Sequence, residues 1–472
     1  MKNAKWRLMA VLMSVMLLLA AGSLAMAKKI EMIGWQYQPS KSMEPSPADL
    51  IPHNHLRLLA DKYEAAHPDV KIELIDIPEG LEGGGGYWTW LTTQLLGLRA
   101  PDIVFRHVNL KDIGLGKGWF VKYDQYLKEP NPYVAGNKQW ADLFREGFLS
   151  GLTSVDGSIY AIPVDSLVRG LFYNKDIFNA AGVEVPKGKW TLEDFFQITS
   201  KIKEAGYISF LGRYGFTAFV LLFESVYWND KLPEEMDVIK KDGAIDTQEL
   251  VRAIKKGIYS VYDPREKAVW LTLKKISEGF PENWLSADSR RLFLTGKVAL
   301  TEEASFFMPQ VLADPERTFE WGILAYPHVT KESSPYGGVY IATMAETGTS
   351  YAITNTAVKN ESVEEAVDWM KYLTTPENNA YMVNELYSML PSIKGAEPLD
   401  VFKPMIELIK LSEPHYWFNP VSLLGRGYQR TYIGMMQMYF GGKLTLEQTL
   451  AQLDKAMKET ADELIEEYGW EF

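Results

Sequence analysis

The chain has 472 residues, with 49 Lys and Arg against 61 Asp and Glu, and a net charge of −12. That acidic excess argues against nucleic acid or an anionic membrane surface as a partner and favours a neutral or cationic ligand. Cysteine is absent, which removes disulfides, thiolate metal sites, cysteine nucleophiles and the acylated cysteine of a bacterial lipoprotein. The length suits two lobes.

Lys2, Lys5 and Arg7 precede an apolar run from Leu8 to Ala21, and Ala25-Met26-Ala27 supplies small residues for cleavage. This is the pattern of a secretory signal peptide over residues 1–27. The run is shorter than the ~20 apolar residues of a spanning helix, and no later run reaches that length. The mature chain is expected to begin near Lys28 and to be soluble and periplasmic. Loss of the three leader cations takes the net charge from −12 to −15.

From Lys29 to Trp35 the pattern predicts a strand, followed by a Pro-rich loop from Pro39 to Pro52. Leu56, Leu59, Ala60 and Tyr63 recur at helical spacing until Pro68, and Val70, Ile72 and Leu74 then alternate as a second strand. Tyr87 to Leu98 reads as a helix opened by the Gly83–Gly86 run, and Asp102 to Arg106 as a third strand. Alternating strands and helices imply a mostly parallel sheet covered on both faces. In such a sheet ligands sit beyond the carboxyl ends of the strands. Those ends carry Trp35, Gln36, Tyr37, His107 and Asn109.

Short strands are predicted at Ser158–Pro163 and Gly170–Asn174, and a Thr191-capped helix with Leu192, Phe195, Phe196 and Ile202 on one face ends at Gly206. Capping boxes at Ser362/Glu365 and Thr445/Gln448, and the Thr375-Pro376 start, mark C-terminal helices. Strands near 320–326 and 350–354 are expected to cross between lobes, which gives a hinge of several strands. The expected division is lobe 1 over 28–160, lobe 2 over 161–325, a return crossing with lobe 1 strands over 326–360, and helices over 361–472 packing across lobe 2 and the hinge.

Six segments, in order, are similar to one family. They are Ala100-Pro101-Asp102-Ile103-Val104, Gly157-Ser158-Ile159-Tyr160-Ala161-Ile162-Pro163, and Phe172-Tyr173-Asn174-Lys175-Asp176-Ile177-Phe178 with Ala181-Gly182. Trp190-Thr191-Leu192-Glu193-Asp194-Phe195, Phe293-Leu294-Thr295-Gly296-Lys297-Val298-Ala299-Leu300, and Trp369 to Glu377 complete the set. Together they resemble the extracellular solute-binding proteins of ABC sugar importers, the maltose-binding-protein-like family 1. The resemblance implies an α/β, periplasmic-binding-protein-like fold of two lobes, each a mostly parallel sheet flanked by helices, joined by a multi-strand hinge. It also implies a sugar ligand, a di- or oligosaccharide, captured by lobe closure and delivered to the membrane subunits of an ABC permease. A monomer without cofactor, metal or catalytic activity is expected. Two departures from the family bear on the ligand: the loop from Pro39 to Pro52 is long, and Tyr227 to Pro233 lacks paired glycines.

A sugar offers apolar C–H faces rimmed by hydroxyls, which aromatic rings and planar polar groups match. Trp35, Gln36 and Tyr37 are placed in the cleft both by the strand-end rule and by the resemblance. Asp165 follows the Tyr160–Pro163 crossing where the family puts a ligand carboxylate. Phe306, counted from Gly296-Lys297, falls at the family's stacking aromatic, with Glu303 near it. Trp228, Trp417 and Tyr428 are further aromatic candidates, and Tyr336-Gly337-Gly338 brings backbone close to a ligand. His107, Asn109, Arg169 and Arg426 complete the candidate ligand set as polar groups of the same cleft.

Catalytic signatures are missing: no G-x-S-x-G, H-E-x-x-H or G-x-x-x-x-G-K-[ST] occurs. His53 and His55 read as a surface pair, and the adjacent Glu302 and Glu303 make a poor glycosidase pair. The alternatives are a binding protein for a polyol, polyamine or other small solute and, of another class, an exported carbohydrate-active enzyme.

Overall fold

The computed structural model describes residues 27–472 apart from 47–48, 82–84, 108–113, 115, 213–216, 242, 282 and 285. The leader expected over residues 1–27 therefore lies, but for Ala27, outside the described residues, as do Asn109 and part of the glycine run. Eleven strands form among those described: β1 (Lys28–Met32), β2 (Val70–Leu74), β3 (Ile103–Phe105), β4 (Ile162–Pro163), β5 (Asp165–Asn174), β6 (Ile208–Phe210), β7 (Val298–Ala304), β8 (Trp321–Leu324), β9 (Ala345–Thr347), β10 (Ser350–Ile353) and β11 (Leu390–Pro391).

The first sheet runs β2-β1-β3-β10-β4, with β1 parallel to both β2 and β3 and β10 antiparallel to its neighbours. The second runs β11-β5-β7-β6, with β8 and β9 also on β5. Strand β5 pairs antiparallel with β7, β8, β9 and β11. The mostly parallel order expected of each sheet gives way in this one, where only β6 and β7 pair parallel. β9 and β11 lie at the other lobe crossings, whereas β7 and β8 follow helices of the second lobe; all four run against β5. Partners on both edges and cover on both faces bury β5 at every position except Arg169. Its first half carries no alternation for that reason and was not legible as strand.

Each sheet has its own core. Ile30, Met32, Ile72, Ile103, Trp369, Met370 and Leu373 share one cluster. Leu171, Phe195, Phe210, Phe223, Trp270, Tyr428 and Leu453 share another. Full burial of such side chains contributes about 1.5–3 kcal/mol each. The helices Val363–Leu373 and Pro376–Asn384 thus pack on the first lobe, not on the second as expected, because Trp369, Met370 and Val383 complete the first core. The helices Gly425–Phe440 and Leu446–Tyr468 cover the second.

Local signals explain most helix limits. Thr191 and Asp194 form a capping box, and Gly206 at φ 90° ends that helix. Thr445 and Gln448 do the same for the last helix. The box expected at Ser362/Glu365 does not form. Ser362 Oγ donates instead to buried Asp102 Oδ1 at 3.0 Å, and Glu365 pairs with Lys28.

Three segments join the lobes: β4 into β5, β9 into β10, and β11 with its flanks. The segment at 321–324 stays in the second sheet beside β5, so the crossing expected there is made by β9 and β10. Gly348 lies at that crossing. A Cβ on it would overlap Asp165 Oδ1 and Met389 Cε, so only glycine fits. Ser392 Oγ donates to Pro163 O at 3.0 Å and Val164 N–H to Thr349 O at 3.0 Å, which ties the three segments into one hinge.

Candidate functional site

Strand β1 ends in Ile33 and Gly34, and the chain turns through one 3₁₀ turn at Trp35–Tyr37. Trp35 takes φ 55°, a left-handed conformation rare for a non-glycine residue. Such strain costs roughly 1–3 kcal/mol and persists where the surroundings dictate it. The half-buried Trp35 ring lies on Phe105 of β3, centroids 4.0 Å apart and planes 9° apart, with Tyr87 at 5.1 Å. Half-buried Trp88 and Trp90 flank Tyr87. An aromatic platform therefore stands at the carboxyl ends of β1 and β3, where the strand-end rule puts a ligand.

A charged group stands beside it. His107 follows β3, and burial holds its imidazole below the usual value; Glu346 opposes that shift, while Arg426 and Arg169 add to it. Those three side chains are thus within electrostatic reach of His107. Arg169 Nε bonds Glu346 Oε1 at 2.7 Å, and Arg169 Nη1 lies 3.6 Å from Glu302 Oε1. Burial raises Glu302 to about 7 against the pull of Arg169, and Tyr326 OH donates to it at 3.0 Å. Arg169, Glu302 and Glu346, from β5, β7 and β9, so meet in one polar group, and His107, two residues after β3, stands edge to face with Phe105 at 6.3 Å.

Gln36, Tyr37 and Asp165 come together as expected, but they bind one another. Tyr37 is 2% exposed and Asp165 0%, and the carboxyl is spent on internal donors. Burial pushes it up to about 6, against the hydrogen bonds it accepts. The expectation of a ligand-facing carboxylate at Asp165 gives way to a hinge residue, because Gln36, Tyr37 and Thr349 occupy its oxygens.

Glu303 is 2% exposed and held in a fork by Arg290, Nε to Oε1 at 2.7 Å and Nη2 to Oε2 at 2.8 Å. Phe306 packs against the first-lobe core although it follows a second-lobe strand, with Arg290 5.1 Å over its ring. Adjacent on β7, Glu302 meets Arg169 while Glu303 meets Arg290, so the two carboxyls serve separate partners.

Trp228 (0% exposed) and Tyr428 (2%) are enclosed in the second core. Trp228 lies 4.8 Å from Tyr259, and the expectation of ligand contact at both gives way to packing. Trp417 stands edge to face with His415, and Tyr336 lies under Arg265; both are half-buried against that core. Gly337 closes on the carbonyls of Val329 and Thr330, and Gly338 at φ 143° continues the same turn. Their missing side chains serve that turn. His53 contacts Ser40 and Ile51 O, while His55 stacks on Tyr381.

Glu346, Phe105, Tyr87 and Thr349 belong to the site and escape the sequence reading. Only Phe105, one residue before the strand end, carried a signal.

Two sheets with separate cores, three crossings and polar groups gathered at strand ends define a two-lobed solute-binding fold. The profile of the bacterial extracellular solute-binding proteins matches residues 54–380, and the chain belongs to that family. A putative binding protein of Brucella abortus is 24% identical over 221 residues, 45% of this chain and 48% of the relative. The chain thus spans about half the length of the first curated relatives it matches. The multiple sugar-binding protein of Streptococcus mutans is 21% identical over 373 residues, 76% of this chain and 77% of that one. Among solved structures, a chitin oligosaccharide binding protein aligns with TM-score 0.63 at 20% identity, covering 87% of this chain and 95% of that one. Apo RafE from Streptococcus pneumoniae aligns with TM-score 0.62 at 17% identity, covering 92% and 98%. These structures share the fold. Among the described residues no helix is long and apolar enough to cross a membrane.

Proposed function

We propose that this chain is the periplasmic, non-enzymatic capture component of an ABC importer, and that it takes a di- or oligosaccharide between its lobes and delivers it to the permease membrane subunits. The observation that carries this reading is the Trp35 ring stacked on Phe105, with His107 edge to face with the same Phe105 and the Arg169–Glu346 ion pair among the candidate polar groups. A flat ring suits a sugar's C–H face, and forked or planar polar groups suit adjacent hydroxyls. The relatives' names, which speak of multiple sugars and of melibiose, raffinose and stachyose, support the ligand class. Capture follows if the sugar binds the closed form better than the open one, since only that difference shifts the equilibrium. The leader pattern of residues 1–27 supports export of the chain.

The test is a thermal-shift panel of mono-, di- and trisaccharides, polyols and polyamines, with chromatography of each sugar afterwards. A saturable rise in melting temperature with one sugar, recovered intact, is expected. Hydrolysed sugar would make the protein an enzyme, and a response to a polyol or polyamine alone would change the ligand class.

A further inference from the structure

The turn that carries Trp35 is held by the two residues after it, and both bind one carboxyl. Gln36 Nε2 donates to Asp165 Oδ2 at 2.8 Å, and Tyr37 OH donates to the same oxygen at 2.5 Å. The other oxygen, Oδ1, accepts the backbone N–H of Thr349 at 2.7 Å. Gln36 Nε2 also reaches Thr349 Oγ1 at 2.7 Å. Ahead of the turn, Tyr351 OH donates to Gly34 O at 2.6 Å.

Asp165 opens β5 and Thr349 precedes β10, so two of the three lobe crossings end on this carboxyl. Val164 N–H to Thr349 O at 3.0 Å and Gly348 N–H to Asp165 O at 3.1 Å run beside it. An ionised carboxyl is a pure acceptor, and three converging donors fix its orientation and theirs. Gln36 and Tyr37 fixed in this way hold the residue before them at its left-handed φ of 55°. The Trp35 ring and the hinge therefore share one anchor.

We propose that Asp165 is the positioning residue of ligand capture: through Gln36 and Tyr37 it sets the Trp35 ring, and through Thr349 it ties that ring to the lobe crossings, so that a sugar seated on Trp35 acts directly on the hinge. This rests on the reading of the cleft as a sugar site. Asp165 is 0% exposed and leaves no surface for a ligand. Its influence on affinity passes through Trp35.

The experiment is a double-mutant cycle on the sugar that saturates the wild-type chain, with Asp165→Asn, Trp35→Ala and the double variant titrated by calorimetry. Asp165→Asn is expected to weaken binding about tenfold in the wild type and less than about twofold where Trp35 is already alanine. Tyr37→Phe removes one donor with little change of volume and is expected to follow the same pattern, which keeps the test available should Asp165→Asn fail to fold. Equal losses in both backgrounds, or no loss from either Asp165→Asn or Tyr37→Phe, would overturn the proposal. In that case Trp35→Ala still weakens binding and the sugar reading stands. If no sugar saturates the wild type, the sugar reading falls and this proposal falls with it.

Discussion

The rings of Trp35 and Phe105 lie parallel within 9°, with centroids 4.0 Å apart, across the carboxyl ends of two neighbouring parallel strands. One face of Trp35 is thus committed to the protein, and its half-buried position leaves surface for a ligand. Replacement by alanine removes that surface together with the ring's packing on Phe105 and Tyr87. Trp35→Ala is expected to weaken sugar binding by about 2 kcal/mol, roughly thirtyfold, as for aromatic anchors elsewhere. Calorimetry and the melting temperature of the unliganded variant check this, and a large loss of melting temperature would make Trp35 a core residue.

Arg169 is the part-buried cation between Glu346 and Glu302. Arg169→Ala leaves two neighbouring carboxyls without their counter-charge and is expected to cost about 1–3 kcal/mol of stability. Arg169→Lys restores the charge but not the planar fork that reaches both acids. Chemical denaturation of the two variants should therefore show the lysine form intermediate.

Gly348→Ala pushes a methyl group into Asp165 Oδ1 and Met389 Cε at the lobe crossing. Overpacking of this kind costs about 1–3 kcal/mol. A lowered melting temperature with unchanged secondary structure by circular dichroism is the expected result.

Stability should fall as pH rises towards neutrality and through it. Burial raises Glu302 and Glu266 to about 7 and Glu224 well above its usual value. A carboxyl whose folded pKa is raised holds a proton that the unfolded chain has lost, so its favourable contribution is complete below about 4 and fades as pH passes the folded value. His107 and His415, lowered by burial, act in the opposite sense, but only below about 6.5. Between about 6.5 and 8 the carboxyls act alone, and the melting temperature is expected to decline. Glu266→Gln removes one member of the buried Glu224–Glu266 pair and should flatten that slope.

How much of this could be read from the chain differs by region. The first-lobe elements were legible because Ile30 and Met32, Val70 and Ile72, and Leu56 to Tyr63 keep the periods of half-buried strands and helices. Strand β5 was only half legible, since a strand buried on both faces shows no period. The ring platform at Trp35 followed from the end of a strand, and His107, Arg169 and Arg426 from the polar residues near it. Asp165 was legible as a special carboxyl but not in its role, because its partners Gln36 and Thr349 lie 129 and 184 residues away. Trp228 and Tyr428 show the converse. A large aromatic reads alike in a core and in a cleft, and only the packing of Tyr259 and its neighbours against them decides.

The central claim is sugar capture without turnover, and titration calorimetry of the mature chain against a sugar panel tests it most directly, with the recovered sugar analysed by chromatography. Saturable binding of one di- or oligosaccharide at a stoichiometry of about one, with the sugar recovered intact, is the expected result for a single cleft. Silence across the whole panel, or hydrolysed sugar in the recovered solution, would contradict it.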